Sequence, residues 1–215
     1  MVRVAGVVVL SMMLFLSGCS GKRILASKVV FDGVYCPNHT ENMEFHFTEE
    51  GSLYVWQTGI YEFGKDEEGK PILRICMDDI DRELPEDYNF SEYLITEKEE
   101  SVWLTFTAEE SNMESEPMVL FWLKGEKGLS NDSFFEGTYQ IGEDGDSYQY
   151  LFHKDGSITM QITERYYADE KQVTLIDHAG STTYLYESSK DTLVLKNMKE
   201  EPVLTLMKQP KTNEN

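Results

Sequence analysis

Beyond residue 30 the chain is written in short runs that alternate apolar and polar positions. Val, Ile, Thr and aromatic residues at every second place give a ribbon with one apolar face, which is the pattern of a half-buried strand. The runs predict strands near 31–36, 43–48, 52–63, 71–77, 101–107 and 117–124. Further runs predict strands near 134–141, 147–153, 156–163, 171–177, 181–187, 191–197 and 201–208. Turn chemistry separates them: Glu143-Asp144-Gly145-Asp146, Lys154-Asp155-Gly156-Ser157, His178-Ala179-Gly180-Ser181 and Ser188-Ser189-Lys190-Asp191. Asp-Gly is a strong hairpin signal because the tight turn needs positive φ.

The pattern repeats. Phe31-Asp32-Gly33-Val34-Tyr35 returns as Phe135-Glu136-Gly137-Thr138-Tyr139. Phe47-Thr48-Glu49-Glu50-Gly51-Ser52-Leu53 returns, about 105 residues on, as Phe152-His153-Lys154-Asp155-Gly156-Ser157-Ile158. The run 117–124 matches 202–208 in the same order, so the chain reads as two copies of one module. The expected architecture is all-β: two tandem antiparallel meander modules, each a small barrel or a sandwich. Module 1 is expected at 31–124 and module 2 at 134–208, with a linker at 125–133 and a polar tail at 209–215. Module 1 carries an acidic insertion, roughly 78–100, with Pro85 and a short helical turn expected near 79–84.

The repeated opening, aromatic-acid-Gly-x-Tyr and then Phe-x-x-acid-Gly-Ser-aliphatic, resembles the lipocalin-like β modules of bacterial lipoproteins. The resemblance covers most of the chain and implies a structural framework with no catalytic signature to carry over.

The front of the chain follows a different rule. Behind Arg3, residues 4–16 are almost wholly apolar, a run shorter than the ~20 residues a membrane-spanning helix needs. Such a run at an N-terminus fits a secretory signal segment. Leu16-Ser17-Gly18-Cys19 then resembles the lipobox of bacterial lipoproteins, with small residues where the chain must lie extended in a peptidase cleft. The resemblance implies removal of 1–18, lipid on Cys19 and a tether at 19–30. Several acyl chains on one cysteine give stable anchoring where a single chain is marginal. The expected address is the extracytoplasmic face of a membrane.

Charge narrows the function. Loss of 1–18 removes one basic residue and no acid, moving the formal charge from −20 to −21. Nucleic-acid binding, which needs basic patches, is excluded on that balance. The mature length suits one large domain or two small ones, and 40% hydrophobic residues are enough for a core.

Catalytic and metal patterns are missing. His39, His46, His153 and His178 lack zinc spacing, and the acids around 78–87 and 143–146 lack a calcium-loop pattern. No Gly-x-Ser-x-Gly elbow or phosphate-cradling Gly-rich loop occurs. No cofactor is expected. Trp56, Trp103 and Trp122 read as core, and Tyr148, Tyr150, Tyr166, Tyr167, Tyr184 and Tyr186 as a face for a partner. Cys36 and Cys76 are the cysteines left after lipidation. Alternation puts both on the less buried faces of their strands, and an exported location permits either a disulfide or two free thiols. The expected function is a non-enzymatic binding module at the cell envelope, its ligand or protein partner unknown. The alternative is an envelope-polymer hydrolase with an unrecognised carboxylate pair, for which a buried pair with one raised pKa is the mark. Cys19→Ala is expected to leave an unprocessed, non-lipidated precursor, seen as a larger band that no longer partitions into detergent. Maturation to the same size, with unchanged partitioning, contradicts the anchor.

Overall fold

The computed structural model describes residues 29, 31–78, 88–107, 116–129, 133–142, 148–177 and 180–210. The targeting segment, Cys19 and the expected helical turn near 79–84 lie outside them. Among the described residues the protein is all-β, with fourteen strands and no helix. The first seven are β1 Gly33–Pro37, β2 Met43–Phe47, β3 Ser52–Lys65, β4 Pro71–Cys76, β5 Ser91–Glu97, β6 Ser101–Phe106 and β7 Met118–Gly125. The rest are β8 Gly137–Ile141, β9 Tyr148–Phe152, β10 Ser157–Ala168, β11 Gln172–Ile176, β12 Ser181–Ser188, β13 Thr192–Lys196 and β14 Pro202–Lys208. Each strand pairs with its neighbours in the chain, β1 also with β14, and β3 also with β10.

The chain divides into two compact units, and the division does not follow the expected boundary at 125–133. Unit 1 holds the residues up to Trp56 and from Thr163 onward; unit 2 holds Gln57–Ile162. The borders fall inside β3 and β10, which at 14 and 12 residues are about twice the usual strand length. Each unit therefore joins the opening strands of one sequence copy to the closing strands of the other. The expected linker also contributes to a core, since Leu129 is buried in unit 2.

Within unit 1 the pairings run β2–β1–β14–β13–β12–β11–β10, and the first part of β3 joins β2 to the last part of β10. Within unit 2 they run β4–β5–β6–β7–β8–β9–β10, closed in the same way by the remainder of β3. Two backbone bonds mark the closures. Tyr166 N donates to Gly51 O at 2.8 Å, and Tyr61 N donates to Gly156 O at 2.9 Å. Both glycines follow a hairpin turn at positive φ, +83° and +82°, where a side chain is strained.

The same tyrosine latch supports each closure. In unit 1 the Tyr166 hydroxyl accepts from Phe31 N at 3.1 Å and sits 2.9 Å from both Phe31 O and Thr48 O. In unit 2 the Tyr61 hydroxyl accepts from Phe135 N at 3.0 Å and donates to His153 O at 3.0 Å. Tyr61 and Tyr166, Phe31 and Phe135, and Thr48 and His153 occupy matched places in the two copies. Aromatic rings pack around each latch: Phe31 with Phe47 in unit 1, Phe135 with Phe152 in unit 2. Unit 2 fills its interior with Leu73, Leu104, Leu120, Tyr139 and Ile158 as well.

Three expectations need correction. Residues 91–97, assigned to the acidic insertion, form β5, which pairs with β4 and β6. Its Tyr93 and Ile95 share one face and Glu92 lies on the other, bonded to Arg74 at 2.9 Å, while Glu97 is exposed at the strand's end, so these acids belong to a strand and not to a loop. The tryptophans are not core. Trp56 and Trp122 are exposed, Trp56 lies 4.2 Å from the His46 ring, and Lys98 Nζ sits 3.1 Å over Trp103. The tyrosines of module 2 do not make one exposed face either. Tyr150 and Tyr166 are buried, in different units.

The latches make a paired prediction. Tyr61→Phe and Tyr166→Phe each remove a hydroxyl and strand a buried backbone N–H, which costs about 1–3 kcal/mol. Denaturant unfolding should show a loss of that order for each variant, and a loss below about 0.5 kcal/mol in both contradicts the role given to the hydroxyls.

Candidate functional site

The cysteines offer no reactive site. Both are free thiols, Cys36 half-buried on β1 in unit 1 and Cys76 buried at the end of β4 in unit 2. Alternation placed Cys76 on the less buried side, but its relative exposure is 1%. The backbones of Asp78 and Asn89, on either side of residues outside the described ones, hydrogen-bond it on the side that strand parity leaves open. Burial raises the pKa of both thiols, and Glu44 adds to the effect at Cys36, so both stay protonated and weakly nucleophilic.

The histidines are dispersed. His46 Nε2 lies 2.7 Å from Glu44, His153 Nδ1 lies 3.2 Å from Glu136, and His39 is exposed. His178 and most of the acidic insertion lie outside the described residues. No cluster of three metal-ligating side chains occurs among the described residues.

One carboxylate stands apart. In β10 the positions Ile162, Glu164, Tyr166 and Ala168 are buried while Arg165 is exposed, so Glu164 shares the inward face. Glu164 belongs to unit 1 and is only 8% exposed. The register puts Arg165 opposite Ile176 and Tyr166 opposite Leu175, so Glu164 stands beside Asp177 at the end of β11. On β12, Tyr184 pairs with Val173 and Thr182 with Leu175, which brings both to the same inward face. Leu204 of β14 joins that face, paired with the buried Leu195. Leu175, Thr182, Tyr184 and Leu204 are each half-buried, so solvent reaches the inward face at this level.

The electrostatics are adverse for an ionised Glu164. Burial, and then the negative charge of Asp177, push its pKa up from 4.5 to about 7. Tyr184 is raised as well, by burial first and by Glu164 second. No cation pairs with Glu164 among the described residues. Asp177 has a local task, since its Oδ1 accepts from Gly180 N at 2.7 Å and shapes the β11–β12 turn.

Unit 2 handles the matched position differently. There Tyr61 pairs with Ile75 and Ile60 with Cys76, so Gly59 and Met77 hold the places of Glu164 and Asp177. A Cβ on Gly59 would lie 2.2 Å from Cys76 O and 2.8 Å from Met77 Sδ, so backbone and thioether fill the space. Gln57 Nε2 donates to Met77 O at 2.6 Å and fixes that residue. Tyr93 matches Tyr184, and Ile75, 3% exposed, matches the half-buried Leu175.

Sequence reasoning passed over Glu164 because one acid among 39 attracts no notice. The signal was its parity with Ile162 and Tyr166. Comparison with known proteins adds nothing to this reading: no family model, no curated protein and no solved structure matches the chain.

A raised carboxyl pKa means that folding favours the protonated form. Between pH 4.5 and about 7 the folded chain holds a proton that the unfolded chain has released, so stability falls as pH rises through that window. The full loss is on the order of 3 kcal/mol, at ~1.4 kcal/mol per tenfold. Glu164→Gln should match the parent in denaturant unfolding at pH 4 and be the more stable protein by that order at pH 8. A difference that does not change with pH refutes the assignment of Glu164 as the buried titrating group.

Proposed function

We propose that the protein is a membrane-anchored extracytoplasmic lipoprotein, held by lipid on Cys19, that binds a ligand on the inward face of unit 1 and catalyses no reaction. One observation carries the binding reading. Glu164 is a buried carboxyl with no cation among the described residues, set on a half-open inward face among leucine, threonine and tyrosine side chains. Fold requirements do not explain it, because the matched place in unit 2 is filled by Gly59 and Met77. Residues that do recur between the copies have structural tasks: the latch tyrosines, the hairpin glycines and the ring-packed phenylalanines. The anchor rests on the lipobox resemblance, and the lipocalin-like reading agrees with a closed circuit of strands holding an inward-facing row.

A second reading has one observation in its favour. Glu164 beside Asp177 is a carboxylate pair with one member raised to about 7, which is what an envelope-polymer hydrolase would use. The register argues against it. Neighbouring positions on paired strands put Cβ atoms ~5 Å apart on one wall. Glycoside hydrolysis needs the two carboxyls to flank the scissile bond. Asp177 is also committed to its turn.

The full chain, its Glu164→Gln variant and its Asp177→Asn variant can be incubated with envelope glycans, peptides and esters. The expected result is no turnover beyond background for any of the three. Turnover that either substitution abolishes replaces the binding reading with the hydrolase.

A further inference from the structure

We propose that the inward face of unit 1 around Glu164 is a site for an organic cation, a protonated amine carried on an apolar body, with Glu164 as its counter-charge. The proposal rests on the binding reading above and names the chemical class of the ligand.

Charge selects the class. Among the described residues, the titratable groups facing Glu164 are Asp177, at the end of β11, and Tyr184 on β12. Tyr166 N bonds to Gly51 O on the β3 side, which places the buried, uncharged Leu53 and Val55 next along that strand. Among the described residues no lysine, arginine or histidine reaches the carboxyl. A ligand carboxylate or phosphate would add a further negative charge at a place that already disfavours one. A neutral apolar ligand would desolvate Glu164 further and return nothing for it. An ammonium supplies the missing opposite charge and a charge-assisted hydrogen bond, the stronger kind.

The rest of the face fits the rest of such a molecule. Leu175 and Leu204 offer apolar surface, and Tyr184 offers a ring on which a cation is attracted to the π face. Thr182 adds a hydroxyl at the half-open side. The duplicated framework supplies an internal control, since unit 2 has Tyr93 where unit 1 has Tyr184 but Gly59 and Met77 where unit 1 has the two acids. The carboxyl is the part that one copy has and the other lacks.

Binding an ammonium requires ionised Glu164, so affinity should rise with pH to a plateau above about 7 and fall about tenfold per pH unit well below it. The ligand in turn should draw the carboxyl's titration downward.

The test uses the full chain in nanodiscs of zwitterionic lipid and three matched probes: hexylammonium, hexanol and hexanoate. Calorimetry is run at pH 8.5 and pH 5.5 on the parent and on Glu164→Gln. Hexylammonium should bind at pH 8.5, and at least tenfold more weakly at pH 5.5 or to the variant. Hexanol should bind more weakly than hexylammonium at pH 8.5, with no gain in affinity as pH rises, and hexanoate least of all. Hexanol binding to the variant as to the parent at pH 5.5, where Glu164 is protonated, shows that the face itself is intact. Equal binding of hexanoate, undiminished hexylammonium binding to Glu164→Gln, or no binding of any probe overturns the cation site. Hexanol or hexanoate binding best overturns the cation while sparing the binding module; only turnover in the hydrolysis panel removes the module itself.

Discussion

A buried phenol must place its hydroxyl, and in this protein two such hydroxyls decide where each unit closes. Tyr61 and Tyr166 are 1% and 4% exposed, deep enough that an unpaired O–H is costly. Each finds an incoming N–H from the segment before an opening strand and an outgoing carbonyl at a hairpin. Three separate pieces of chain meet at one atom. Register then follows, because sliding either long strand by one residue turns its tyrosine to the opposite face. The hairpin glycines, bonded from the same tyrosines' backbone N–H groups, fix the edge at the same level. Cores of leucine and isoleucine tolerate rearrangement better than a polar atom with specific partners does.

Much of this was legible in the sequence, and what was hidden was hidden for physical reasons. Alternation located the strands because it reports which side of a ribbon is apolar. It says nothing about which ribbon lies alongside. β3 and β10 keep the same parity through the residues at which they pass from one unit to the other, so no local signal marks the change. A repeat in sequence was therefore visible, whereas the recombination of its halves into discontinuous units was not. β5 was obscured by charge, Glu92 on the outer face and Glu97 at the exposed strand end masking the inward pair Tyr93 and Ile95. Its counterpart β12 was read without difficulty because its outer positions are Thr183, Leu185 and Glu187.

The candidate site was hidden by abundance. An acid in a chain with 39 of them carries little information until its neighbours are known. Parity gave Glu164 an inward place, but only the register with β11 brings Asp177 beside it. The cysteines erred in the opposite direction. Parity gave Cys76 an open face, and Asp78 and Asn89, outside any alternation pattern, bond to it there. In both cases the missing quantity is what crosses over a strand's face, which a one-dimensional pattern does not contain.

Duplication turns these two positions into a comparison made within one chain. Both copies inherit the same latch, the same hairpin glycine and an inward tyrosine at the matched level, Tyr93 or Tyr184. They part most sharply at one facing pair of positions. Where one unit sets Gly59 against Met77 and closes the gap with a thioether, the other sets Glu164 beside Asp177 and carries a carboxyl displaced by burial to about 7. A buried ionisable group without an opposite charge opposes folding at neutral pH. The apolar solution is available in the same framework, a few substitutions away. Mutation readily removes a destabilising acid when nothing retains it, since stabilising substitutions are easy to find. Its presence in one copy therefore points to a contribution made outside the folded chain's own energetics, to something that arrives with the charge Glu164 lacks.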